Sequence, residues 1–382
     1  MASDVLRLLP TDEAHELIAL TRALADAELA PAVTKAEHDG VFPREVLRTL
    51  GRSGLLSLPY DERYGGGGQP YEVYLQVLEE IAYAWLSVGI GVSVHSLACF
   101  PLAGYGTEAQ RDAWLPEQLA GELLGAYCLS EPGSGSDAAA LETKAVREGD
   151  DYIVTGTKAW ITHGGVADFY NLLVRTAPEK SRGISCLLAQ SDTDGMSFGE
   201  PERKMGAKAS RTAQVILDRA RVPADRLIGQ EGQGFSIALA ALDAGRLGIA
   251  ACAVGLAQAA LDTAAAYAKE RQQFGHAIGQ FQGMQFLLAD MATAVAASRA
   301  LYLDAARRKD AGLPFSVAAA QAKLFATDAA MRVTTDAVQV LGGYGYVEDF
   351  PVERFMREAK VLQIVEGTNQ VQRMVIGRTL TG

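Results

Sequence analysis

Glu366 is an acidic residue in a sequence context that would suit a base. It precedes Gly367, and the residues before it are largely apolar, among them Leu362, Ile364 and Val365. Burial among such neighbours disfavours a charged carboxylate and raises its pKa towards the range of a general base. For this segment by itself, an exposed glutamate on a helix is the more common alternative.

Two segments combine glycines with polar atoms that could hold a cofactor ring. Residues 127–137 read Tyr-Cys-Leu-Ser-Glu-Pro-Gly-Ser-Gly-Ser-Asp, and residues 160–165 read Trp-Ile-Thr-His-Gly-Gly. Amides and hydroxyls of the first could bind a polar ring or a carbonyl, and the Trp of the second could cover an aromatic cofactor. A surface turn and a core tryptophan are the alternatives. Neither GxGxxG nor GxxxxGK[ST] is present in the first segment.

Three more candidate segments lie in the C-terminal half. Asp243 and Arg246 could bind a ligand hydroxyl and a phosphate. Residues 271–275, followed by Phe281 and Gln282, could bind a pyrophosphate or a flavin ring. Residues 339–346 contain more glycines than a helix C-cap needs, which favours a ligand or subunit contact. A surface ion pair, a helix end and a plain C-cap are the alternatives.

Helices are predicted to position the N-terminal part of these segments. The pattern is helical from Asp4 to about Gly121. The first predicted helix opens at Thr11. The others run from Pro43 to Gly54, from Tyr71 to Ile90 and, capped by Thr107, from Glu108 to Leu115. A glycine-rich break lies at 59–69.

From about Gly125 the pattern changes to short strands and then back to helices. Strands are predicted at 152–155, 159–162, 169–174, 184–188 and 212–217, as a small antiparallel barrel or sandwich. Helices near 233–270, 280–311, 315–341 and 351–378 predict an up-down four-helix bundle. The predicted domains are therefore residues 1–123 (helical), 124–231 (β) and 232–382 (bundle), a mainly α fold with a central β domain.

Composition and charge exclude several classes of function. The 382 residues carry a net charge of −11, which gives no electrostatic basis for nucleic-acid binding. The four cysteines are far apart and predict reduced core thiols, and the histidine spacing predicts no metal site. The N-terminus lacks the features of a signal peptide, and the most apolar stretch, 88–106, suits a buried helix. We therefore expect a cytoplasmic protein without membrane insertion.

Taken together and in this order, the segments resemble the acyl-CoA dehydrogenase family over essentially the whole chain. The strongest matches are residues 127–136, 160–162, 341–345 and 366–368. Residues 242–250 (Leu-Asp-Ala-Gly-Arg-Leu-Gly-Ile-Ala) resemble the short-chain and medium-chain branches most. The resemblance implies an N-terminal helical domain, a central β domain and a C-terminal four-helix bundle, which agrees with the pattern above.

The resemblance also implies roles for individual residues. Glu366 would be the catalytic base. FAD would be bound by Tyr127, Leu129, Ser130, Gly135, Ser136, Trp160, Ile161, Thr162, Arg271, Gln272, Gln273, Phe274, Ile278, Phe281, Gln282, Gln339, Leu341, Gly342, Gly343, Thr368 and Gln370. The substrate would be bound by Ser136, Asp243, Arg246, Gly367 and Arg378. No metal is implied.

The reaction implied by the resemblance is α,β-dehydrogenation of an acyl-CoA thioester to a trans-2-enoyl-CoA. Glu366 would remove the α-proton while the β-carbon gives a hydride to flavin N5. A ribityl hydroxyl of FAD and the backbone N–H of Glu366 would stabilise the charge on the thioester oxygen. The electrons would pass to an electron-transferring flavoprotein. Members usually form homotetramers, as pairs of dimers, in which part of the FAD set comes from the neighbouring subunit.

The chain departs from the family pattern at a few positions. Some branches carry the base at the position of Gly245, which has no side chain here. Val365 stands where Tyr is usual and lines the acyl pocket in relatives, so it is expected to widen the pocket or admit a branched acyl group. His163 replaces a common Asn, and Gln273 a common Thr or Ser. The rival hypotheses are an acyl-CoA oxidase that uses oxygen and an inactive helical scaffold without flavin.

Overall fold

The computed structural model describes residues 5–382, so Asp4, where the predicted helical region begins, lies outside the described residues. The N-terminal part is helical, as predicted. A π-helical turn at Ala25–Leu29 joins the first two of its helices, which are α1 (Asp12–Leu24), α2 (Ala30–Asp39), α3 (Arg44–Arg52), α4 (Tyr71–Ala84), α5 (Leu86–Tyr105) and α6 (Glu108–Leu119). The hydroxyls of Thr11 and Thr107 accept hydrogen bonds from the first turns of α1 and α6, which confirms both predicted helix starts.

The prediction of one helix over Tyr71–Ile90 was wrong, because Trp85 divides it. The backbone of Trp85 is extended, with φ −157° and ψ 106°, between α4 and α5. Its indole is 1% exposed, and the Nε1–H donates to Glu37 Oε1 at 2.7 Å. The chain therefore turns where a large aromatic side chain is anchored in the core.

The central part forms one eight-stranded sheet. Its strands are β1 (Gly125–Cys128), β2 (Lys144–Glu148), β3 (Asp151–Thr162), β4 (Phe169–Arg175), β5 (Ile184–Gln190), β6 (Met196–Phe198), β7 (Thr212–Pro223) and β8 (Leu227–Ile228). Their order is β6-β7-β3-β2-β4-β5-β8, with β1 beside β4. The pairing is antiparallel except that β1 and β2 run parallel to β4. The predicted strands at 152–155 and 159–162 are one strand, β3, which has irregular pairing after Val154 and after Lys158.

The C-terminal part is a helical bundle whose last helix differs from the prediction. A short hairpin of β9 (Gln272–Gln273) and β10 (His276–Ala277) follows the first of its helices, which are α7 (Gly234–Glu270), α8 (Gln282–Asp310), α9 (Ser316–Leu341), α10 (Val352–Leu362) and α11 (Asn369–Thr381). One continuous helix over 351–378 was a wrong prediction. Glu366 and Gly367 have φ of +55° and +87°, left-handed values that an α-helix does not contain.

Within residues 5–382, three helices, α5, α7 and α8, are long and apolar enough to cross a membrane by length and composition. In the most apolar windows of α5 and α7, 89% and 78% of the residues are buried inside the protein. These two helices form the interior, with fully buried alanines of α7 packed against those of α9. In α8 the corresponding window is only 22% buried, so this helix presents apolar surface outward.

The four cysteines, Cys99, Cys128, Cys186 and Cys252, are free and buried, as the sequence predicts. Among residues 5–382, no cluster of three or more histidine, cysteine or acidic side chains is arranged to hold a metal ion.

A buried ion cluster ties the start of the chain to α4 and α8. Arg7 donates to Glu80 Oε1 at 2.8 Å and to Glu79 Oε1 at 2.9 Å. Arg299 donates to the same Glu79 oxygen at 2.8 Å, and the Tyr302 hydroxyl donates to Glu79 Oε2. Burial alone would raise the pKa of Glu79, but the two guanidinium groups outweigh it and lower the pKa to about 2.

Replacing Glu79 by Gln should destabilise the protein strongly. The change removes the carboxylate that pairs with Arg299 and leaves Arg7 with Glu80 alone, and removing one partner of a buried ion pair costs about 3–5 kcal/mol. We expect the free energy of unfolding, measured on the holoprotein by guanidinium titration at pH 7, to fall by about 3 kcal/mol.

The exposed pair Lys35–Asp39 supplies the control, because Asp39→Asn should leave the unfolding midpoint unchanged. The pKa of Glu79 lies below its ordinary 4.5, so its stabilising contribution is present above pH 4.5 and is lost as the pH falls towards 2. The difference between wild type and Glu79→Gln should shrink over the same range. Equal midpoints at pH 7 would contradict the assignment.

Candidate active site

Glu366 lies in the turn between α10 and α11, and its side chain reaches α7. Its φ of +55° is unusual for a residue other than glycine and costs roughly 1 kcal/mol or more. The carboxylate oxygen Oε2 has no solvent exposure and no hydrogen-bond partner among the described residues. A strained backbone therefore holds a carboxylate in the interior with one oxygen free.

Gly245 on α7 provides the space for this carboxylate. A Cβ atom at position 245 would lie 2.6 Å from Glu366 Oε2 and 3.3 Å from Leu97 Cδ1. The first distance is too short for non-bonded atoms. The glycine of α7 and the carboxylate of the turn therefore occupy adjoining volumes, and a side chain at 245 would displace the carboxylate.

The electrostatic surroundings bring the pKa of Glu366 close to neutrality. Burial is the main cause and raises the pKa to about 7, while Arg246 and Lys323 act in the opposite direction. Burial also raises the pKa of Tyr71 and Tyr74, and the charge of Glu366 adds to this effect. The carboxylate is therefore surrounded by two cations and by neutral phenols, and it can exchange a proton near pH 7.

Hydrogen bonds from two helices fix the turn that carries Glu366. Lys323 of α9 is fully buried, and its Nζ donates to Gly367 O at 3.0 Å and to Asn369 Oδ1 at 2.9 Å. Gln372 of α11 donates through Nε2 to Gly367 O at 2.8 Å and to Glu366 O at 3.3 Å. Both carbonyls of the left-handed turn are thus held by side chains.

A small cavity of about 50 Å³ lies beside Gly245, between α4, α5 and α7. Its walls include four aromatic side chains, Tyr60, Tyr71, Tyr74 and Phe100. A cavity of this size holds roughly four groups the size of a water molecule. Val365 does not line it; this side chain packs against the helical core instead.

Asp243 and Arg246 form an ion pair on α7, with Arg246 Nη1 donating to Asp243 Oδ1 at 2.5 Å. The pair differs from the surface pair considered from the sequence, because Arg246 is only 5% exposed. Its Nε has no hydrogen-bond partner among the described residues. One face of the guanidinium is therefore left for the carboxylate of Glu366 or for a ligand.

The segments at 127–137 and 160–165 meet at one end of the sheet. Ala159 N donates to Ser130 O at 2.9 Å, which joins the end of β1 to β3. Beneath them Lys158 is fully buried and donates to Glu131 Oε1 at 2.7 Å. Trp160 is 65% exposed and has a φ of +62°, so the core-tryptophan alternative is wrong. This end of the sheet presents an indole to the outside on a rigid support.

A second and larger cleft, of about 740 Å³, lies at the far end of α7 and α9. Of the predicted cofactor-binding residues, it is lined by Arg271, Gln273, Ile278, Leu341, Gly342 and Gly343. None of its lining residues also lines the cavity beside Gly245. The cleft therefore brings together six of the predicted cofactor-binding residues, whereas none of the predicted residues lines the cavity beside Gly245.

The remaining predicted residues lie outside both cavities. Phe274 is 92% exposed and Phe281 36% exposed, with ring centroids 6.2 Å apart. Thr368 is the N-cap of α11, where its hydroxyl accepts from Val371 N. The others also lie outside the lining of both cavities: Gly135, Ser136, Gln272, Gln282, Gln339, Gln370 and Arg378. The carbonyl of Gln339 accepts from Gly342 N at the end of α9.

The residues that surround Glu366 were not predicted from the sequence. Tyr71 and Tyr74 were assigned only to a helix, and Lys323 and Gln372 were given no role. A signal for Lys323 existed, since it is a lone charge in the alanine-rich stretch 318–326, where a helix packs closely and a charge is costly. For the tyrosines no comparable signal existed, because aromatic residues at helical spacing are ordinary core residues.

Family models match nearly the whole chain. They are the acyl-CoA dehydrogenase N-terminal domain at residues 11–122, the middle domain at 126–220 and the C-terminal domain at 232–381. A similar protein, an acyl-CoA dehydrogenase of Bacillus subtilis (strain 168), is 44% identical over 374 residues, which cover 97% of this chain and 99% of that protein.

Two solved structures are similar over their full length. Butyryl-CoA dehydrogenase from Megasphaera elsdenii has a TM-score of 0.96 and 41% identity, covering 99% of this chain and 100% of that one. A chain from the structural work on the electron transferring flavoprotein of Acidaminococcus fermentans has a TM-score of 0.96 and 42% identity, covering 98% and 99%.

Replacing Gly245 by Ala should displace the Glu366 carboxylate, because the new methyl group would lie 2.6 Å from Oε2. A shift of about 1 Å in a reacting group lowers rates by about 10²-fold. We expect a loss of this order in the rate at which acyl-CoA thioesters bleach the flavin. Gly104→Ala on α5, where a Cβ meets nothing within 4 Å, is the control and should keep the wild-type rate. Full activity of Gly245→Ala would contradict the close fit.

Proposed function

The chain belongs to the acyl-CoA dehydrogenase family and is an acyl-CoA dehydrogenase, and we propose that Glu366 is the base that removes the α-proton of its substrate. The observation that supports this most is the buried Oε2 of Glu366, which lacks a partner and adjoins the glycine that borders the cavity. A pKa of about 7 lets the carboxylate accept a proton at neutral pH and release it afterwards.

The α-hydrogen of a thioester is weakly acidic, so its removal needs stabilisation of the charge that develops on the carbonyl oxygen. The backbone N–H of Glu366 has no acceptor among the described residues and is available for that oxygen. Lys323 and Gln372 hold the neighbouring carbonyls, so the turn does not need to reorganise during proton transfer. Glu366 would then hold the proton on its carboxylate.

The family is FAD-dependent, and FAD, when bound, accepts the hydride that leaves the β-carbon and so completes the trans-2-enoyl-CoA. The exposed indole of Trp160 is suited to pack against such a ring. It lies at an irregularity of β3 and would otherwise remain in solvent. We propose that residues 127–136 and 160–162 hold the isoalloxazine, together with Thr368 and Gln370. We further propose that Ser136, Asp243, Arg246, Gly367 and Arg378 bind the substrate.

The larger cleft fits the adenosine and pyrophosphate portion, since it offers a guanidinium, an amide and free glycine backbone. Its separation from the cavity at Gly245 supports a site completed by two subunits. The outward apolar surface of α8 supports the same assembly, because contiguous apolar surface marks an interface. We propose a homotetramer, arranged as a pair of dimers, in which one subunit's cleft serves its neighbour.

The domain boundaries 1–123, 124–231 and 232–382 remain our proposal, supported by the matched ranges 11–122, 126–220 and 232–381. An electron-transferring flavoprotein is the proposed acceptor, supported by the likeness to the chain from the Acidaminococcus fermentans work. A cytoplasmic location remains a prediction from the sequence. No nucleic-acid partner is proposed.

The cavity beside Gly245 favours a short acyl group. Its volume of about 50 Å³ leaves room for roughly four atoms beyond the reacting carbons. Hydroxyls of Tyr60 and Tyr71 donate to the backbone carbonyls of Ser96 and Ala244, which fixes its walls. The likeness to the butyryl-CoA dehydrogenase of Megasphaera elsdenii supports the same substrate class.

Replacing Glu366 by Gln should abolish proton abstraction while FAD and the substrate still bind. A general base contributes at least about 10²-fold, so we expect a loss of that size in the rate of anaerobic flavin bleaching by butyryl-CoA. Glu117→Gln, on the exposed face of α6, is the matched control and should keep the wild-type rate.

The pH profile gives a second measurement of the same assignment. A base must be ionised, so kcat/KM should rise with pH through a midpoint near the pKa of about 7. Near-normal turnover of Glu366→Gln would contradict the assignment. Oxygen consumption during turnover would indicate an oxidase, and a colourless preparation that binds no FAD would indicate the scaffold.

Chain-length preference should follow the small cavity. Butyryl-CoA and isobutyryl-CoA should bleach the flavin, and kcat/KM for octanoyl-CoA should be at least about tenfold lower, since a few unaccommodated methylenes at about 0.8 kcal/mol each account for that. Phe100→Ala removes a large side chain from one wall and enlarges the cavity, so it should raise kcat/KM for octanoyl-CoA relative to butyryl-CoA. Preference of the wild type for octanoyl-CoA would contradict a closed pocket.

A further inference from the structure

Lys323 is a charged side chain placed in the interior of the bundle, on α9. It is 0% exposed, and its ammonium donates to Gly367 O and Asn369 Oδ1. An ammonium group buried in this way is costly unless hydrogen bonds and a counter-charge stabilise it. Both oxygens belong to the turn that carries Glu366 or to the residue that opens α11. The lysine therefore holds the end of the turn that carries Glu366 and the start of α11.

The contact with Gly367 is one half of a clamp on the left-handed turn. Gly367 O receives Lys323 from α9 on one side and Gln372 from α11 on the other. Asn369, the second oxygen that Lys323 holds, is itself fixed, since its amide donates to Thr327 and Asp328 at 2.9 and 2.7 Å. The clamp thus connects the strained backbone of Glu366 to a rigid helix.

The charged groups around the clamp influence the pKa of Glu366. The cations that lower the pKa of Glu366 are Arg246 from α7 and Lys323 from α9. Asp243 neutralises Arg246, and Asp328 is paired with Arg373 at 2.9 Å. The groups facing Glu366 from α4 and β1 are phenols whose pKa is raised by burial, Tyr71, Tyr74 and Tyr127. Lys323, in contrast, forms no ion pair among the described residues, although the charge of Asp328 on the same helix opposes the lowering of its pKa by burial.

We propose that Lys323 is a positioning residue for the α-proton transfer: it fixes the turn that presents Glu366, and its charge favours the ionised carboxylate. The inference rests on the proposed role of Glu366 as the base. Burial lowers the pKa of Lys323 to about 7 and Glu366 opposes this shift, so each charge favours the other and the two groups titrate as a pair.

The test uses the holoenzyme with Lys323→Met, which keeps the length of the side chain but removes its charge and its donors. Two rates are measured against pH: anaerobic flavin bleaching by butyryl-CoA, and exchange of the substrate α-hydrogen into D₂O. Exchange reports the base itself, without hydride transfer. We expect both rates to fall about tenfold or more. The acidic limb of the pH–rate profile should move upward by roughly one pH unit, because the variant lacks the cation that lowers the pKa of Glu366.

Two matched variants separate the charge from the hydrogen bond. Gln372→Met removes the other donor to Gly367 O but no charge, so its rates should fall while the acidic limb stays in place. Lys323→Arg keeps the charge in a different shape, so its limb should stay at the wild-type position while the plateau falls. Lys269→Met, an exposed lysine near the end of α7, should match the wild type in both respects.

If Lys323 has only a structural role, Lys323→Met should change the yield or the melting temperature and leave the acidic limb of the pH–rate profile at its wild-type position. That result, or wild-type exchange in Lys323→Met, would overturn the proposal. If Lys323→Met does not fold, Lys323→Arg decides: a lowered plateau supports the proposal and a wild-type plateau contradicts it. If none of the acyl-CoA thioesters bleaches the flavin of the wild type, the proposed function itself fails. That outcome is distinguishable from a failure of the proposal for Lys323.

Discussion

A carboxylate with one buried oxygen that lacks a hydrogen-bond partner is the constraint that organises the centre of this protein. Such a group is unstable in an apolar interior unless it takes up a proton or finds a compensating charge. Glu366 is held between these states, because burial raises its pKa while Arg246 and Lys323 lower it. The result is a carboxylate that changes its protonation near neutral pH, and the surrounding helices preserve that balance.

The elements that satisfy this constraint come from distant parts of the chain. A glycine of α7 leaves the volume, a lysine of α9 and a glutamine of α11 hold the backbone, and two tyrosines of α4 close the other side. A left-handed non-glycine residue persists only where the surrounding structure over-determines it. Here the hydrogen bonds to Gly367 O and Glu366 O provide that determination.

Much of this arrangement was predictable from local sequence signals. Thr11 and Thr107 predicted helix starts, short runs of β-branched and aromatic residues predicted the strands, and the order of glycine-rich segments indicated the family. The errors arose where tertiary contacts overrode local pattern. Trp85 divides a continuous apolar pattern because its indole binds Glu37, and Glu366 divides another because its turn is clamped from α9 and α11. Periodicity contains no information about either partner, so the family resemblance pointed to Glu366 as a base, but neither Lys323 nor Gln372 could be predicted to hold its turn.

The ion cluster around Glu79 has a consequence for the order of events on the ribosome. Arg299 follows Glu79 by 220 positions, so the cluster cannot be completed until most of the chain has been made. At about 5–20 residues per second this corresponds to a delay of roughly 11–44 s. Throughout that interval the helices that precede the sheet lack the guanidinium of α8, and for its earlier part they also lack the apolar surface of α7 against which α4 packs. The core of the N-terminal third therefore cannot be completed until the bundle emerges, although its sequence is the first to leave the tunnel.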